Sequence, residues 1–343
     1  LNESLEVEEV SFVLHDTLSA GVSPDGLVGD CGIVEFKCQN TTTQIETFLS
    51  GKMPSNHKVQ VQGQLWVTER DWCDFVIYDP RINGARVISY HTNDKSNSNH
   101  LHIQELSLAG RCSLDNEGFA GYSSLSHDFG KIRNRAESKA TSELIEDLDK
   151  LASLYISNNI SKYGQAEARE EFTGEYVFVA LQIPTDTVAS LAYIDGISLV
   201  TAVANFYKNT TTQVIVKRHP YCNSKSVERC LNHLQETAGI VVSNASVHDL
   251  ISNAKTVFTV NSGVGLEALL HKKPVVVTGE CDYAYAVSSQ AKSPAELQDI
   301  LQQPQFFDIT RTSEFFYYYI NFYSAAASDI NAIHNRLENW LAG

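Results

Sequence analysis

The feature that most constrains the fold is a regular alternation of short apolar runs and helical stretches between residues 177 and 278. Strands are predicted at 177–181, 213–216, 240–242, 257–260 and 274–278, and the helical stretches between them are 188–205, 227–237, 247–254 and a helix start at 265–271. Such βαβα alternation is typical of a parallel sheet that is covered on both faces by helices. The second half of the chain is therefore predicted to be α/β, and the last segment, 314–341, aromatic-rich and mostly helical.

Three short motifs lie in this part of the chain, at positions where open α/β sheets bind ligands. The sequence KRHP at 217–220 follows a predicted strand, NSGVGLE at 261–267 joins a strand to a helix, and DNEGF at 115–119 lies near the start of the region. The small residues of the second motif leave backbone N–H groups open at a helix N-terminus, which suits a phosphate. Each motif also has a simpler interpretation, because His-Pro pairs are common in loops and glycines before a helix often serve packing.

Together with the strand at 178–181 and the sequence HKKPVVVTG at 271–279, these motifs resemble the capsule polysaccharide biosynthesis family. Its members are GT-B type glycosyltransferases, including 3-deoxy-manno-octulosonic acid transferases. Bacterial sialyltransferases use motifs of the same kind. A GT-B enzyme has two Rossmann-like domains facing across a cleft. Residues 175–343 resemble the C-terminal, nucleotide-sugar-binding domain with its terminal helices, whereas only 101–174 resembles a remnant of the N-terminal one.

The resemblance also implies roles for individual residues. Glu117 would be the general base, His219 would contact the phosphate of a CMP-sugar donor, and Ser262 would be a further phosphate ligand. Gly265 and Glu267 would complete the nucleotide-sugar site, with Glu267 at the ribose, although Glu267 also fits an ordinary surface position on a helix. The acidic motif departs from the family pattern because Asn stands where the first of two acids is expected. The implied partners are a CMP-sugar and a glycan acceptor, and no metal or cofactor is implied for this part.

A second pattern lies near the start of the chain, where SPDG at 23–26 is followed by Glu35-Phe36-Lys37. On a strand, Glu35 and Lys37 project from the same face, and the glycine-rich link 26–32 can fold Asp25 back beside Glu35. Two carboxylates are oxygen ligands that suit Mg²⁺, and a lysine beside them can orient water and offset negative charge on a phosphate. A simple Asp-Gly turn and a solvated Glu–Lys pair are the alternative interpretation.

Two further blocks follow in order, KVQVQGQLWVT at 58–68 and WCDFVIYDPR at 72–81. With them, residues 11–92 resemble the phage lambda exonuclease and YqaJ-type viral recombinase family of PD-(D/E)xK nucleases. The resemblance implies a restriction-endonuclease-like mixed sheet in which Asp25, Glu35 and the backbone carbonyl of Phe36 bind Mg²⁺ or Mn²⁺. It implies further that Lys37 is catalytic and that Gln62 is an active-site polar residue near the metal and the water.

The nuclease resemblance implies double-stranded DNA ends as a substrate, a single-strand annealing protein as a partner, an oligomeric state, and a phage or prophage origin in the bacterial cytoplasm. The predicted organisation is a nuclease core at 1–92, a polar linker at 93–100, and the transferase-like parts at 101–174 and 175–343. The N-terminal helices of the nuclease family have no counterpart before residue 11, so the start of the protein is expected upstream of Leu1.

Composition bears on these functions. The formal net charge is −15, and residues 1–97 carry seven basic and fourteen acidic residues, which disfavours a strong sequence-general grip on DNA. No apolar stretch approaches the roughly 18–20 residues that span a bilayer. Seven cysteines without a C-x-x-C pair argue against a disulfide framework or a zinc site.

The sequence thus leaves three functions open. The first is a Mg²⁺-dependent DNA exonuclease fused to a transferase-like region. The second is a capsular polysaccharide glycosyltransferase in which the nuclease part is a non-functional fragment. The third is a chimaeric product in which either half is only a folded remnant.

Overall fold

The chain divides into two units, Leu1–Asn97 and Ser98–Gly343, called unit 1 and unit 2 below. The computed structural model describes residues 6–16, 20–37, 47, 53–78, 85–91, 102–166, 171–327, 329, 331–333 and 335. The division falls within the segment 93–100 that is predicted to be a linker, and that segment lies outside the described residues. It separates the sequence with the SPDG block from the sequence with alternating strands and helices.

Unit 1 is a mixed sheet with a helix against it. Its described elements are β1 Val7–Glu8, β2 Val13–Leu14, β3 Gly21–Val22, β4 Gly26–Val28, β5 Gly32–Lys37, α1 Ser55–Thr68, β6 Trp72–Tyr78 and β7 Ala85–His91. The strand order is β1-β4-β5-β6-β7, with β5 and β6 parallel and the other pairs antiparallel. A mixed sheet is what the sequence predicts for this part.

Alternation along β5 decides which residues face α1. Ile33 packs in a buried cluster with Val61 and Leu65 of α1, whereas its neighbour Val34 packs in a second cluster on the opposite face. Because successive strand residues point to opposite faces, Glu35 shares the α1 face with Ile33. Glu35, the acid of the E-x-K block, therefore faces α1.

Unit 2 contains the alternating region. Its strands are β8 His102–Glu105, β9 Arg111–Asp115, β10 Tyr176–Ala180, β11 Gln213–Lys217, β12 Val241–Val242, β13 Val257–Thr259, β14 Val275–Val277, β15 Ser289–Gln290 and β16 Ser324–Ala326. Its α-helices are α2 Phe129–Ala136, α3 Thr141–Ser157, α4 Gly196–Tyr207, α5 Lys225–Ala238, α6 Val247–Ser252, α7 Val264–Leu270, α8 Pro294–Leu301 and α9 Ile309–Tyr318. None of the described helices is both long and apolar enough to cross a bilayer.

The main sheet of unit 2 is parallel, as predicted, and its order is β12-β11-β10-β13-β14-β15. Counted from β10, this is the order 3-2-1-4-5-6 of doubly wound dinucleotide-binding folds. Alternate residues of β10 face two separate cores: Phe178 packs in the cluster that includes α3, α6, α7 and α9, and Val177 and Val179 pack in the cluster that includes α4, α5 and α8. The helices therefore cover both faces of the sheet.

The helical stretch predicted at 188–205 is interrupted in the structure. A 3₁₀ turn at Thr187–Leu191 ends before α4 begins, and Asp195 caps α4 by accepting hydrogen bonds from Ile197 N at 2.9 Å and Ser198 N at 3.0 Å. A side chain that satisfies the first N–H groups of a helix fixes where that helix begins. The predicted helical stretch 188–205 is therefore two separate elements, and the prediction was wrong for 192–195.

The end of unit 2 contains a strand where the sequence predicts mostly helix. After α9 comes a π-helical turn at Tyr319–Tyr323 and then β16, which pairs antiparallel with β9 in a small sheet of order β16-β9-β8. Arg111 of β9 donates from Nε to Ser324 Oγ at 2.7 Å and from Nη2 to the carbonyl of Ile320 at 2.7 Å. The backbone pairing with β9 explains why 324–326 is extended. Residues 336–343 lie outside the described part of the chain.

Candidate functional site

A cavity of about 490 Å³ lies in unit 2 at the carboxyl ends of β10, β11 and β13. Ligands of doubly wound sheets bind in the crevice where the strand order reverses, which here is between β10 and β13. Gln182 and Asn261, each two residues after the end of one of these strands, both line the cavity. The backbone N–H of Asn261 donates to Gln182 Oε1 at 3.3 Å, so the two loops are tied together at the point of reversal.

His219 of the KRHP motif lines this cavity. Its Nδ1 accepts a hydrogen bond from Tyr221 N at 3.2 Å, and the ring of Tyr163 packs edge-on against it at 4.7 Å between centroids. Burial lowers the pKa of His219, Lys162 lowers it further, and Asp186 opposes both. A neutral His219 therefore carries its proton on Nε2 and can donate it to an anionic oxygen.

Three cations line the same cavity: Lys162, Lys217 and Arg218. Lys217 donates from Nζ to the carbonyl of Ala245 at 2.5 Å, and Arg218 donates from Nη2 to the carbonyl of Cys222 at 2.9 Å. The Nε atom of Arg218 is buried and has no hydrogen-bond partner among the described residues. Fixed positive groups favour an anionic ligand.

Glu267 is buried, with 4% of its surface exposed, and it also lines the cavity. The structure therefore excludes the alternative interpretation that it is a surface helix residue. Burial raises the pKa of Glu267 to about 7, and a hydrogen bond from Ser161 and the charge of Lys217 oppose that rise. Asp282, another lining residue, has its pKa raised by burial to about 6. The cavity therefore holds two carboxyl groups that accept protons near neutral pH.

Ser262 lines the cavity and its Oγ accepts from Val264 N at 3.3 Å, whereas Gly265 does not line it. A Cβ atom at Gly265 would lie 2.5 Å from the hydroxyl of Tyr283, and that hydroxyl donates to the carbonyl of Ser262 at 2.6 Å. The glycine is therefore explained by close packing against Tyr283.

Glu117 lies outside the residues that line the cavity. Its side chain is 41% exposed, and its carboxylate pairs with His127 Nε2 at 2.7 Å. The nearby acid that is buried is Asp115, whose Oδ1 accepts from Glu117 N at 2.8 Å and from Gly118 N at 3.1 Å. Asp115 thus shapes the loop that carries Phe119 and Ala120 to the cavity wall, and the role of Glu117 as the base stays a prediction.

The segment 159–166 contributes residues 161–166 to one wall of the cavity, and the sequence motifs did not point to it. Ser246 Oγ donates to Asn159 Oδ1 at 2.5 Å, Val247 N donates to Gln165 Oε1 at 2.9 Å, and His248 Nε2 lies 2.9 Å from the carbonyl of Ile160. These contacts fix the segment to the start of α6. No local composition signal marks it, since its importance comes from residues about eighty positions away.

The nuclease-like residues of unit 1 come together around Glu35, which is 2% exposed. Gly26 of β4 pairs with Val34 of β5, so the register places Asp25 next to Glu35. Asp25 Oδ2 accepts from Phe36 N at 2.7 Å, and Lys37 Nζ forms an ion pair with Glu35 Oε1. The hairpin thus assembles both predicted carboxylates and the predicted lysine.

Two glutamines of α1 complete this cluster, and neither is the predicted Gln62. Gln60 Nε2 donates to Glu35 Oε1 at 2.6 Å, and Gln64 Nε2 donates to Glu35 Oε2 at 2.8 Å and to the carbonyl of Ser23 at 3.2 Å. Residues four apart share a helix face, whereas Gln62, two residues from each of them, lies on a different face of α1. One turn earlier, His57 has its pKa lowered by burial and then by Lys37, with Glu35 opposing.

The atoms around Glu35 fit a hard cation in their chemistry. They include the carboxylates of Asp25 and Glu35, and also Gln64 Oε1, which is buried and has no hydrogen-bond partner among the described residues. Oxygen ligands of this kind suit Mg²⁺ or Mn²⁺. The described part of the chain contains no group of three or more His, Cys, Asp or Glu side chains placed to hold a metal, so the fit rests on these mixed oxygen atoms.

Comparison with known proteins gives two family matches. The family described as "Capsule polysaccharide biosynthesis protein" matches residues 125–323, and the "YqaJ-like viral recombinase domain" matches residues 2–71. Among curated proteins, Protein FixF of Sinorhizobium fredii is 32% identical over 117 residues, which are 32% of this chain and 27% of FixF. The chain thus matches only about a quarter of the length of that relative.

Two solved structures are also similar to the chain. An alkaline exonuclease from Laribacter hongkongensis is 42% identical over 27% of this chain and 50% of its own, with a TM-score of 0.26. KpsC of Thermosulfurimonas dismutans, a β-Kdo 2,7-transferase, is 16% identical over 89% of this chain and 98% of its own, with a TM-score of 0.47. The first family match covers more than half of the chain, so the protein belongs to the capsule polysaccharide biosynthesis family.

Proposed function

We propose that unit 2 transfers a sugar from a CMP-linked donor to a glycan acceptor, with the nucleotide bound in the cavity at the ends of β10, β11 and β13. The observation that carries the proposal is His219, a half-buried histidine with Nε2 as its donor, in a cavity also lined by Lys162, Lys217 and Arg218. This combination of donors suits a phosphate. Membership of residues 125–323 in a capsule biosynthesis family supports sugar-transfer chemistry.

In the proposed reaction, an acceptor hydroxyl oxygen bonds to the anomeric carbon of the donor sugar. The bond from that carbon to the phosphate oxygen breaks, and CMP leaves with the electron pair. Negative charge therefore develops on the leaving phosphate, where His219, Ser262 and the three cations offset it. The acceptor proton passes to a carboxylate, for which the family resemblance proposes Glu117, and the buried Glu267 contacts the ribose.

Replacing His219 with alanine is expected to weaken CMP binding by about tenfold to a hundredfold, because a donor to the phosphate is lost. Isothermal titration calorimetry with CMP measures the change. His233→Ala is the matched control, since His233 is an exposed residue of α5 that does not line the cavity. Equal CMP affinity in the two variants would contradict the proposed role of His219, and no CMP binding to the wild-type chain would contradict the proposed donor.

Unit 1 supports a second candidate function, a Mg²⁺-dependent exonuclease that acts on ends of double-stranded DNA. The observation that favours it is the assembly of Asp25, Glu35 and Lys37, together with the YqaJ-like match over residues 2–71. Asp25, Glu35 and the Phe36 carbonyl would hold the metal, with the Gln64 amide oxygen nearby. The bound metal would polarise a phosphate oxygen and lower the pKa of a bound water. Lys37 would stabilise charge on the phosphate, and Gln60 and Gln64 orient Glu35.

Lys37→Ala is expected to reduce Mg²⁺-dependent digestion of linear duplex DNA about a hundredfold, since one charged group stabilising the transition state is removed. The rate of nucleotide release from an end-labelled duplex measures it. Lys58→Ala, which changes an exposed lysine of α1, should leave the rate unchanged. A Lys37→Ala chain as active as wild type would refute the nuclease assignment. A single-strand annealing partner and an oligomeric state remain proposals that accompany it.

A further inference from the structure

The side-chain amide of Asn261 has a fixed orientation at the point where the strand order reverses. Its Nδ2 donates to the carbonyl of Val188 at 2.9 Å and to the carbonyl of Glu280 at 3.0 Å. A carbonyl oxygen can only accept, so both contacts require the nitrogen of the amide and not its oxygen. Both amide protons are donated in these two hydrogen bonds. A 180° flip of the amide would place Oδ1 against both carbonyl oxygens. The position of Oδ1 is therefore determined by its neighbours.

That oxygen is left without a partner. Asn261 is 8% exposed, and its Oδ1 is buried with no hydrogen-bond donor among the described residues. Buried polar atoms are almost always satisfied, because an unpaired acceptor loses its hydrogen bonds to water on folding. Since Asn261 lines the cavity, the missing donor can come from a molecule that enters the cavity.

The surroundings indicate what kind of donor this is. The cationic groups Arg218 and His219 follow β11, whereas Asn261 follows β13, and β10 lies between them. Neighbouring strands are about 4.8 Å apart, so the backbones at the ends of β11 and β13 are separated by roughly 10 Å. An anionic group fits the β11 end. A neutral amide oxygen at the β13 end fits an uncharged donor, and a sugar hydroxyl is such a donor.

We propose that Asn261 Oδ1 accepts a hydrogen bond from a sugar hydroxyl of the bound nucleotide or nucleotide-sugar, and that this contact makes the site selective for a ligand that carries the hydroxyl. The inference rests on the proposed nucleotide-binding function and adds a specificity-determining residue to it. The hydroxyl belongs either to the ribose or to the donor sugar, and the two sources are separable by experiment.

The test compares CMP with UMP, with 2′-deoxy-CMP, with 3′-deoxy-CMP and with a CMP-linked sugar, on the wild-type chain and on Asn261→Ala. Calorimetry on the wild-type chain should show a loss of affinity of roughly fivefold to tenfold for the one ligand that lacks the relevant hydroxyl. Asn261→Ala should bind that ligand and its parent equally well. If only the CMP-linked sugar responds to Asn261→Ala, the hydroxyl lies on the donor sugar, which also supports the proposal.

Three results overturn it. One is wild-type affinity that is the same for every ligand of the series, a result that does not depend on how well the variant folds. Another is selectivity that persists unchanged in a folded Asn261→Ala chain. The third is a preference for CMP over UMP that disappears in Asn261→Ala, because the donor would then be the amino group of the base. His219→Ala tests the phosphate contact separately from the hydroxyl contact. It should weaken the binding of every ligand by the same factor and leave the ratios between their affinities unchanged. Absence of CMP binding to the wild-type chain would remove the proposed function as well.

Discussion

At pH 8, the Glu267→Gln variant is expected to be more stable than the wild-type chain by about 3 kcal/mol in the free energy of unfolding of unit 2. Burial raises the pKa of Glu267 to about 7, against an ordinary value of 4.5. Above pH 7 the wild-type chain must keep a carboxylate charge buried, with only Ser161 and Lys217 to offset it. A glutamine has nearly the same shape and never ionises, so this cost is absent.

The sign of the effect follows from the two states. Below about pH 4.5 the carboxyl is neutral in both folded and unfolded chains and contributes nothing to the pH dependence. Between about pH 4.5 and 7 the unfolded chain releases the proton while the folded chain holds it, so the free energy of unfolding falls as pH rises. Above pH 7 the loss stays constant. Wild type and variant should therefore differ more at pH 8 than at pH 5.

Urea unfolding at pH 5 and pH 8 measures this difference. Near-UV circular dichroism of tyrosine reports mainly on unit 2, because all tyrosines except Tyr78 and Tyr90 lie after residue 97. Asp282 titrates in the same range, but it is present in both proteins and its contribution cancels in the comparison. Glu236→Gln, which changes an exposed glutamate of α5, is the control. Parallel pH profiles for wild type and Glu267→Gln would show that Glu267 is ionised in the folded chain without cost.

Phe178→Ala is expected to lower the free energy of unfolding of unit 2 by about 3–5 kcal/mol. Phe178 is fully buried in β10, the strand between β11 and β13, and packs in the cluster that joins the sheet to α3, α6, α7 and α9. Removal of the ring takes away its transfer free energy and leaves a cavity that a central strand cannot collapse to fill. A loss of this size is a large part of the stability of a domain.

The same urea experiment measures the effect of Phe178→Ala, and Phe306→Ala is its matched control. Phe306 is 75% exposed, so the identical chemical change there should cost less than about 0.5 kcal/mol. A change of similar size in both variants would mean that β10 is not the centre of the core.

The parallel sheet of unit 2 could be predicted because its signal is local. Runs such as 214–216 are apolar and lie between helical stretches, and alternating elements of this kind have few ways to pack. The break before α4 depends on one side chain, Asp195, that caps the helix. Strand β16 depends on a partner more than two hundred residues away, which no local pattern contains.

The residues of the candidate sites could likewise be predicted from the sequence only in part. His219, Ser262 and Glu267 stand in short motifs next to strand ends, where the sequence can point to them. Asn261 stands in the same motif, but its significance comes from carbonyl groups at Val188 and Glu280, which the fold brings to it. In unit 1, the helical period does distinguish Gln60 and Gln64 from Gln62, since the first two are four residues apart and share a face. That periodicity, applied to α1, is the signal that would have found them.

The pairing of β16 with β9 has a consequence for how the protein is made. Synthesis proceeds from the N-terminus, and β9 leaves the ribosome about two hundred residues before its partner β16 does. The small sheet, and the Arg111 contacts with Ser324 and Ile320, cannot form until nearly all of unit 2 has been translated. Closing so long a loop is slow, and the edge of β9 stays open to other chains meanwhile. Unit 1, by contrast, can complete its β4–β5–β6 core while most of unit 2 is still unmade.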